Sequence, residues 1–114
     1  MTKEDSLQIA VIDYLRYQFP HVLAFHCPNG GSRNAIEGAK LKRMGVLAGV
    51  SDILIFHRCR MCAIELKIKP NLPTPKQKEF GDKWVKEGGK FFVAFDILQA
   101  KKIIDEFLNN YILL

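Results

Sequence analysis

The chain has 114 residues, of which 48% are hydrophobic and 25% charged, a composition that fits one folded domain spanning 1–114 and excludes a disordered chain. It has no apolar run of membrane-spanning length and no apolar signal-peptide core, so we expect a cytoplasmic protein without a membrane partner. The three cysteines are expected to stay reduced, and the formal net charge of +5 is compatible with a polyanionic partner.

Apolar periodicity and chain-breaking residues predict helices and strands that alternate along the chain. In chain order they are a helix at 4–18, a strand at 21–26, a helix at 35–44, strands at 52–57 and 60–68, a helix that begins at Pro75 and stops at Gly88, a strand at 90–95 and a helix at about 97–110. The two central strands form an antiparallel hairpin, and the last strand returns through a helix. The predicted fold is therefore α/β, with a central four-stranded mixed sheet flanked by helices.

Two polar residues lie at predicted helix starts. Glu4 is in the first turn of the first helix, where a carboxylate stabilises the positive end of the helix dipole. Thr74, Pro75 and Gln77 have the spacing of an N-cap, an N1 proline and the third residue of a capping box. From spacing alone, stabilisation of the helix dipole is a sufficient role for Glu4, and helix capping is a sufficient role for Gln77.

The 27–34 segment contains Pro, Asn-Gly and Gly-Gly steps, which break regular structure and let the backbone approach a ligand. Asn34 can cap the following helix, with Glu37 at capping-box spacing. The helix carries cations, with one more just upstream of it, and they either contact DNA phosphates or form a solvated face that complements the helix dipole. These residues are Arg33, Lys40, Lys42 and Arg43.

The strand at 60–68 carries two ionisable residues among apolar ones. Side chains on a strand alternate between faces, so Glu65 and Lys67 point to the same side. This arrangement indicates either an ion pair at a sheet edge or a catalytic site.

The hairpin register brings in a second carboxylate. If the turn is centred on 58–59, His57 pairs with Arg60, and Asp52 then lies opposite Glu65 with Cβ atoms about 5 Å apart. Arg-Cys is not a preferred tight-turn pair, and a bulge there would change the register. Two opposed carboxylates repel unless a proton or cation lies between them, and hard oxygen ligands suit Mg²⁺ or Mn²⁺.

A zinc site is an alternative. Cys59 and Cys62 form one Cys-x-x-Cys next to His57, with His26 and Cys27 as further candidate ligands. Structural zinc takes four ligands, and the second paired motif that normally supplies them is missing. Small buried or edge thiols are the other interpretation.

Val50-Ser51-Asp52 and Ile64-Glu65-Leu66-Lys67 resemble the D…E-x-K signature of the PD-(D/E)XK nuclease superfamily. Further features resemble the VRR-NUC domain family over about residues 4–108. They are Glu4-x-x-Leu7-Gln8, Pro28-Asn29-Gly30-Gly31-x-Arg33, Met44-Gly45-x-x-Ala48-Gly49-Val50-x-Asp52 and Thr74-x-x-Gln77. Ser51 departs from the family pattern, in which proline more often precedes the aspartate.

The resemblance implies a restriction-endonuclease-like core and a metal-dependent, structure-specific endodeoxyribonuclease. Mg²⁺ or Mn²⁺ would be held by Asp52, Glu65 and the backbone carbonyl of Leu66, with Lys67 as the catalytic lysine. The resemblance also implies active-site roles for Gln77 and Glu4, in addition to the local roles that their spacing explains.

Small family members are similar to the Holliday-junction resolvases of phages and bacteria. The resemblance therefore implies branched DNA, a four-way junction above all, as substrate and a homodimer as the active form, in the cytoplasm of a bacterium or a phage-infected cell. The tail at 111–114 is a candidate dimer surface. A flap-type or less specific DNA nuclease and a DNA-binding module that does not cut are the alternatives.

Overall fold

A computed structural model describes residues 1–28 and 35–109 of the chain. The order of elements matches the sequence prediction, with ends that shift by only one or two residues. They are α1 (Lys3–Gln18), β1 (Leu23–His26), α2 (Ala35–Arg43), β2 (Ile53–His57), β3 (Arg60–Leu66), α3 (Pro75–Lys86), β4 (Lys90–Ala94) and α4 (Ile97–Asn109). No helix within the described ranges is both long enough and apolar enough to cross a membrane.

The strands form one 4-stranded sheet in the order β1-β2-β3-β4. β1 and β3 each pair antiparallel with β2, whereas β4 pairs parallel with β3 after the α3 crossover. The predicted mixed α/β sheet is therefore confirmed.

The β2–β3 hairpin has the predicted register, from His57 opposite Arg60 to Ile53 opposite Ile64. Its turn is Arg58-Cys59, with φ values of 50° and 64°. Positive φ at both central residues is typical of type I′ turns, whose twist matches that of the flanking strands. The hairpin thus forms without a bulge, although neither turn residue favours this conformation.

The two faces of the sheet are covered differently. α1 and α4 pack on one face, where Val11 and Ile104 join Ile53, Ile55 and other buried residues in one apolar core. The opposite face carries α3, whose Trp84 contacts the ring of Phe56 at a centroid distance of 6.0 Å. Alternation along β3 places Glu65 on this α3 face, with Ala63.

Local hydrogen bonds fix the starts and ends of the helices. Thr74 and Gln77 form the predicted capping box at α3. α4 begins where Asp96 Oδ1 accepts a hydrogen bond from the Gln99 N–H, and it ends near Phe107, whose carbonyl accepts one from Arg60. Arg60 begins β3, so the last of these contacts ties α4 to the turn end of the β2–β3 hairpin.

Candidate active site

Asp52, Glu65 and Lys67 lie together at one end of the β2–β3 hairpin. Asp52 directly precedes β2, Glu65 is near the end of β3, and Lys67 follows that strand. The ladder pairs Ile53 with Ile64, so its next pair is Asp52 opposite Glu65. Both carboxylates therefore lie on the α3 face, as the register predicted.

The segment before Asp52 packs directly on the start of α3. Gly49 has a φ of +85°, and a Cβ at this position would lie 2.2 Å from the backbone oxygen of Lys76. Only glycine fits both the conformation and the close approach. This contact fixes where the chain enters β2, and with it the position of Asp52.

Asp52 is held by hydrogen bonds of both its side chain and its backbone. Its Oδ2 accepts one from the backbone N–H of Leu66 at 2.7 Å. Its carbonyl oxygen accepts one from the Cys27 N–H at 2.9 Å and lies 2.7 Å from His26 Nδ1, which donates to it. The carboxylate thus has a fixed direction at the end of β3.

Glu65 is only 1% exposed, an unusual environment for a carboxylate. Its Oε1 lies 3.9 Å from Lys67 Nζ, and its Oε2 is buried without a hydrogen-bond partner among the described residues. Burial raises the pKa of Glu65 well above its usual range, the charge of Asp52 raises it further, and Lys67 opposes the rise.

The buried, unpartnered Glu65 oxygen beside Asp52 fits a hard cation. Among residues 1–28 and 35–109, no three His, Cys, Asp or Glu side chains are arranged to hold a metal ion. An ion here would therefore take two protein carboxylates and complete its shell with backbone oxygen and water. Mg²⁺ is typically bound in this way.

Glu4 acts electrostatically on the Asp52, Glu65 and Lys67 site, whereas the Gln77 side chain is bonded within its own helix cap. The negative charge of Glu4 helps to raise the pKa of Glu65, so α1 brings a further carboxylate within electrostatic range. Gln77 Oε1 accepts a hydrogen bond from the Thr74 N–H at 2.8 Å, so its amide oxygen serves the helix cap. The active-site role of Gln77 stays a prediction.

The predicted DNA-contacting cations of α2 lie on an exposed helix. Lys40, Lys42 and Arg43 are exposed, and α2 contains no buried residue. Arg33 and the Asn34 cap lie outside the described residues. DNA contact by these cations stays a prediction.

Sequence reasoning missed two buried polar atoms. Ser51 Oγ and Gln8 Nε2 have no hydrogen-bond partner within the described chain. Ser51 precedes Asp52, and Gln8 is one helical turn from Glu4 on α1. The available signal for Gln8 was its place in the Glu4-x-x-Leu7-Gln8 motif.

The thiols of the hairpin do not resemble zinc ligands. Cys59 is exposed in the turn, whereas Cys62 is fully buried in the core. Burial raises the pKa of the Cys62 thiol to about 12, so the thiolate that zinc requires is disfavoured there.

Known structures share this architecture. A solved structure described as a VRR_NUC domain protein is 30% identical and superposes with a TM-score of 0.77, with 96% of this chain and 90% of that one covered. A second, described as a VRR_NUC domain, is 21% identical with a TM-score of 0.62 over 92% of this chain and 97% of that one, and it supports the fold alone. A scan against protein-family models and a search of curated proteins found no match.

The mixed sheet, with an aspartate, a glutamate and a lysine at the end of its central hairpin, has the architecture of PD-(D/E)XK nucleases. Because the first structure above is 30% identical and matches 96% of this chain, the chain belongs to the VRR-NUC family of nuclease domains.

Proposed function

We propose that the protein is a Mg²⁺- or Mn²⁺-dependent endodeoxyribonuclease that hydrolyses phosphodiesters in branched DNA, four-way junctions above all. The observation that carries this proposal is the fully buried Glu65, whose Oε2 has no partner while the Asp52 carboxylate lies beside it. A purely structural acid at this depth would have both carboxylate oxygens paired or would be replaced by an apolar residue, whereas here only Oε1 lies near a cation, Lys67. Membership of a nuclease family supports the same conclusion.

The residues of the site have separable roles in phosphodiester hydrolysis. Asp52 and Glu65, with the backbone carbonyl of Leu66, would hold the cation, and Glu65 must lose its proton to do so. A bound divalent ion would polarise the phosphate and lower the pKa of an attacking water. The water oxygen bonds to phosphorus as the bond to the leaving oxygen breaks.

Lys67 acts on the charge that this reaction develops. Its Nζ lies 3.9 Å from Glu65 Oε1, which keeps the ammonium at the cation site. From there it can donate to a phosphoryl oxygen or orient the water, and a fixed charge in a partly buried site stabilises the transition state. The side chain of Lys67 is 11% exposed, so solvent screens it only weakly.

A homodimer is part of the proposal, because two cuts in a two-fold junction require two sites. The β1 edge of the sheet supplies a surface that suits a second copy. Leu23 and Phe25 are 62% and 39% exposed, and Phe25 stacks on Phe56 at 6.1 Å. An edge strand with exposed apolar side chains can pair with its own symmetry mate. The alternative tail at 111–114 lies outside the described residues.

Cleavage of labelled DNA tests the proposal. Four-way junctions, flaps and duplexes are incubated with the wild type in Mg²⁺, in Mn²⁺ and in EDTA, with Asp52→Asn as the site variant. We expect metal-dependent products from junctions, none in EDTA, and none from Asp52→Asn, which should still bind.

Products from flaps or duplexes at equal rates would instead indicate the less specific nuclease. Binding without products under all metal conditions would indicate a module that does not cut. Cleavage by Asp52→Asn at the wild-type rate would refute the site.

A further inference from the structure

A recess of about 560 Å³ lies between α2, the segment that follows it, and α3. This volume is within the range of small-ligand sites. Its apolar lining includes Leu41, Val46, Leu47 and Phe80. Val46 and Leu47 are 46% and 48% exposed, so this apolar surface is open to an external group.

Lysines surround the recess. Lys42, Lys76 and Lys83 line it, and among the described residues of the lining Glu79 is the one acid. Glu79 is shared between Lys76 and Lys83, each with a nitrogen-to-oxygen distance of 3.6 Å. The lining therefore keeps an excess of positive charge, which favours an anionic occupant.

Gly38 lies within α2 and also lines the recess. A Cβ at this position would meet nothing within 4 Å, so packing within the described chain does not require glycine. Glycine inside a helix is destabilising relative to alanine, and a nine-residue helix with no buried residue gains little from its own core. An occupant that packs against α2 at Gly38 would explain both features.

The lining of the recess is connected to the proposed catalytic residues by a short stretch of chain. Ala48, in its lining, is followed by Gly49, which contacts the backbone of Lys76 in the opposite wall. Three residues after Gly49 comes Asp52. One wall of the recess and the entry into β2 at Asp52 therefore belong to the same short segment of chain.

We infer that the recess binds an unpaired nucleotide of the DNA strand beside the cleavage point. The base lies on the apolar lining, and the flanking phosphates contact Lys42, Lys76 and Lys83. Bases in a continuous duplex are stacked and paired, and only an unpaired or flipped base can enter. This inference rests on the proposed function: in a four-way junction the base that enters the recess is one whose pair opens at the branch point, which a continuous duplex does not offer.

A second copy of the chain fits this recess less well. Two-fold contact would bring the same lysines of both copies towards each other, which is unfavourable. The recess and the β1 edge are thus assigned to different partners, DNA and a second copy.

Gly38→Leu, with Gly38→Ala as matched control, tests the inference without disturbing the carboxylates. Dissociation constants are measured by fluorescence anisotropy in EDTA, so that DNA stays intact, for a duplex with a single-stranded tail and for a fully paired duplex of equal length. We expect Gly38→Leu to raise the dissociation constant of the tailed DNA about tenfold, because the contact with one stacked base is lost. The dissociation constant of the paired duplex should change less than about twofold. Gly38→Ala should behave as wild type.

Lys83→Ala tests the phosphate contacts, with Lys102→Ala, at an exposed position of α4, as control. Lys83→Ala should weaken binding several-fold and reduce the slope of log affinity against log salt by about one, and Lys102→Ala should change neither. The inference would be overturned if Gly38→Leu weakened binding of both DNAs equally or of neither. A changed oligomeric state with unchanged discrimination between the two DNAs would overturn it as well. Failure of the wild type to cleave any DNA in Mn²⁺ would refute the nuclease proposal separately.

Discussion

The backbone N–H of Leu66 donates a hydrogen bond to Asp52 Oδ2 at 2.7 Å, one residue beyond the point where Glu65 faces the same carboxylate. The bond holds Asp52 against β3, so rotation of its side chain cannot easily separate the two acids. Glu65 is buried and has no second direction in which to reach water. The folded domain is therefore destabilised unless a proton or a cation lies between them.

This relationship predicts how stability depends on pH without metal. Burial, reinforced by Asp52, raises the pKa of Glu65 in the folded state, so the folded protein binds a proton that the unfolded chain releases near its usual pKa of about 4.3. The free energy of unfolding should then fall as pH rises from that value through the raised pKa. Glu65→Gln carries no such proton and should be more stable than wild type at pH 8 by about 1–3 kcal/mol.

Urea denaturation in EDTA at pH 5 and pH 8 measures this difference. Glu79→Gln, at an exposed carboxylate of α3, is the control and should change stability little at either pH. An advantage of Glu65→Gln that is equal at both pH values would contradict the raised pKa.

Lys67→Met tests whether Lys67 is a catalytic lysine, because a catalytic role predicts a loss of turnover without a loss of DNA affinity. Removal of one charge that acts on the transition state should lower kcat by about 10²- to 10³-fold and leave DNA affinity within about twofold. Single-turnover cleavage and anisotropy measure the two quantities. An equal loss in affinity and rate would make Lys67 a binding residue instead.

Phe25→Glu tests the proposed dimer surface. A buried aromatic contact at a protein interface often contributes at least about 2 kcal/mol, so the dimer dissociation constant should rise about 30-fold or more. Light scattering after gel filtration should then report the 13.0 kDa chain at concentrations where the wild type is a dimer. Tyr17→Glu, at a residue of α1 that is 84% exposed, is the matched control and should stay dimeric.

The sequence predicted those features that depend on local periodicity. Alternation on two strands and a two-residue turn were enough to place Asp52 opposite Glu65, and Thr74-x-x-Gln77 was enough to place the α3 cap. The positive φ values of Arg58 and Cys59 were not predictable, because the twist of the paired strands imposes them on residues that do not favour them.

Features that depend on packing between distant segments could not be predicted either. The burial of Glu65 and Ser51 depends on the elements that pack over the end of the hairpin. The recess brings Leu41 and Leu47 next to Phe80, and no periodic pattern relates these positions. The sequence therefore predicted the placement of Asp52 and Glu65 on the hairpin better than the packing around them.

Ser51 and Thr74 carry hydroxyls that should respond oppositely to removal. Ser51 Oγ is buried without a partner in the described chain, so Ser51→Ala should leave stability unchanged or raise it by up to about 1 kcal/mol. Thr74 Oγ1 accepts a hydrogen bond from the Gln77 N–H, and Thr74→Ala should cost about 1 kcal/mol through loss of the cap. Urea midpoints of the two variants measure this contrast, and a larger loss for Ser51→Ala would reveal a hydroxyl partner.

Gly49 and Gly45 provide a matched pair that separates backbone strain from close packing. Both have positive φ, +85° and +101°, but a Cβ at Gly45 would meet nothing within 4 Å. Gly45→Ala should therefore cost only the strain of an L-residue at positive φ, about 1–2 kcal/mol. At Gly49 the added Cβ would lie 2.2 Å from the Lys76 carbonyl oxygen, which belongs to α3 backbone and cannot rotate away.

Gly49→Ala should cost more than about 3 kcal/mol, because α3 must move away from the segment that leads to Asp52. That displacement should also lower cleavage, whereas Gly45→Ala should cleave at nearly the wild-type rate once folded. Urea denaturation and single-turnover cleavage of both variants provide the comparison. Equal losses of stability would mean that the contact with Lys76 does not position the entry into β2, and cleavage by Gly49→Ala at the wild-type rate would mean that Asp52 is held by its bond to Leu66 alone.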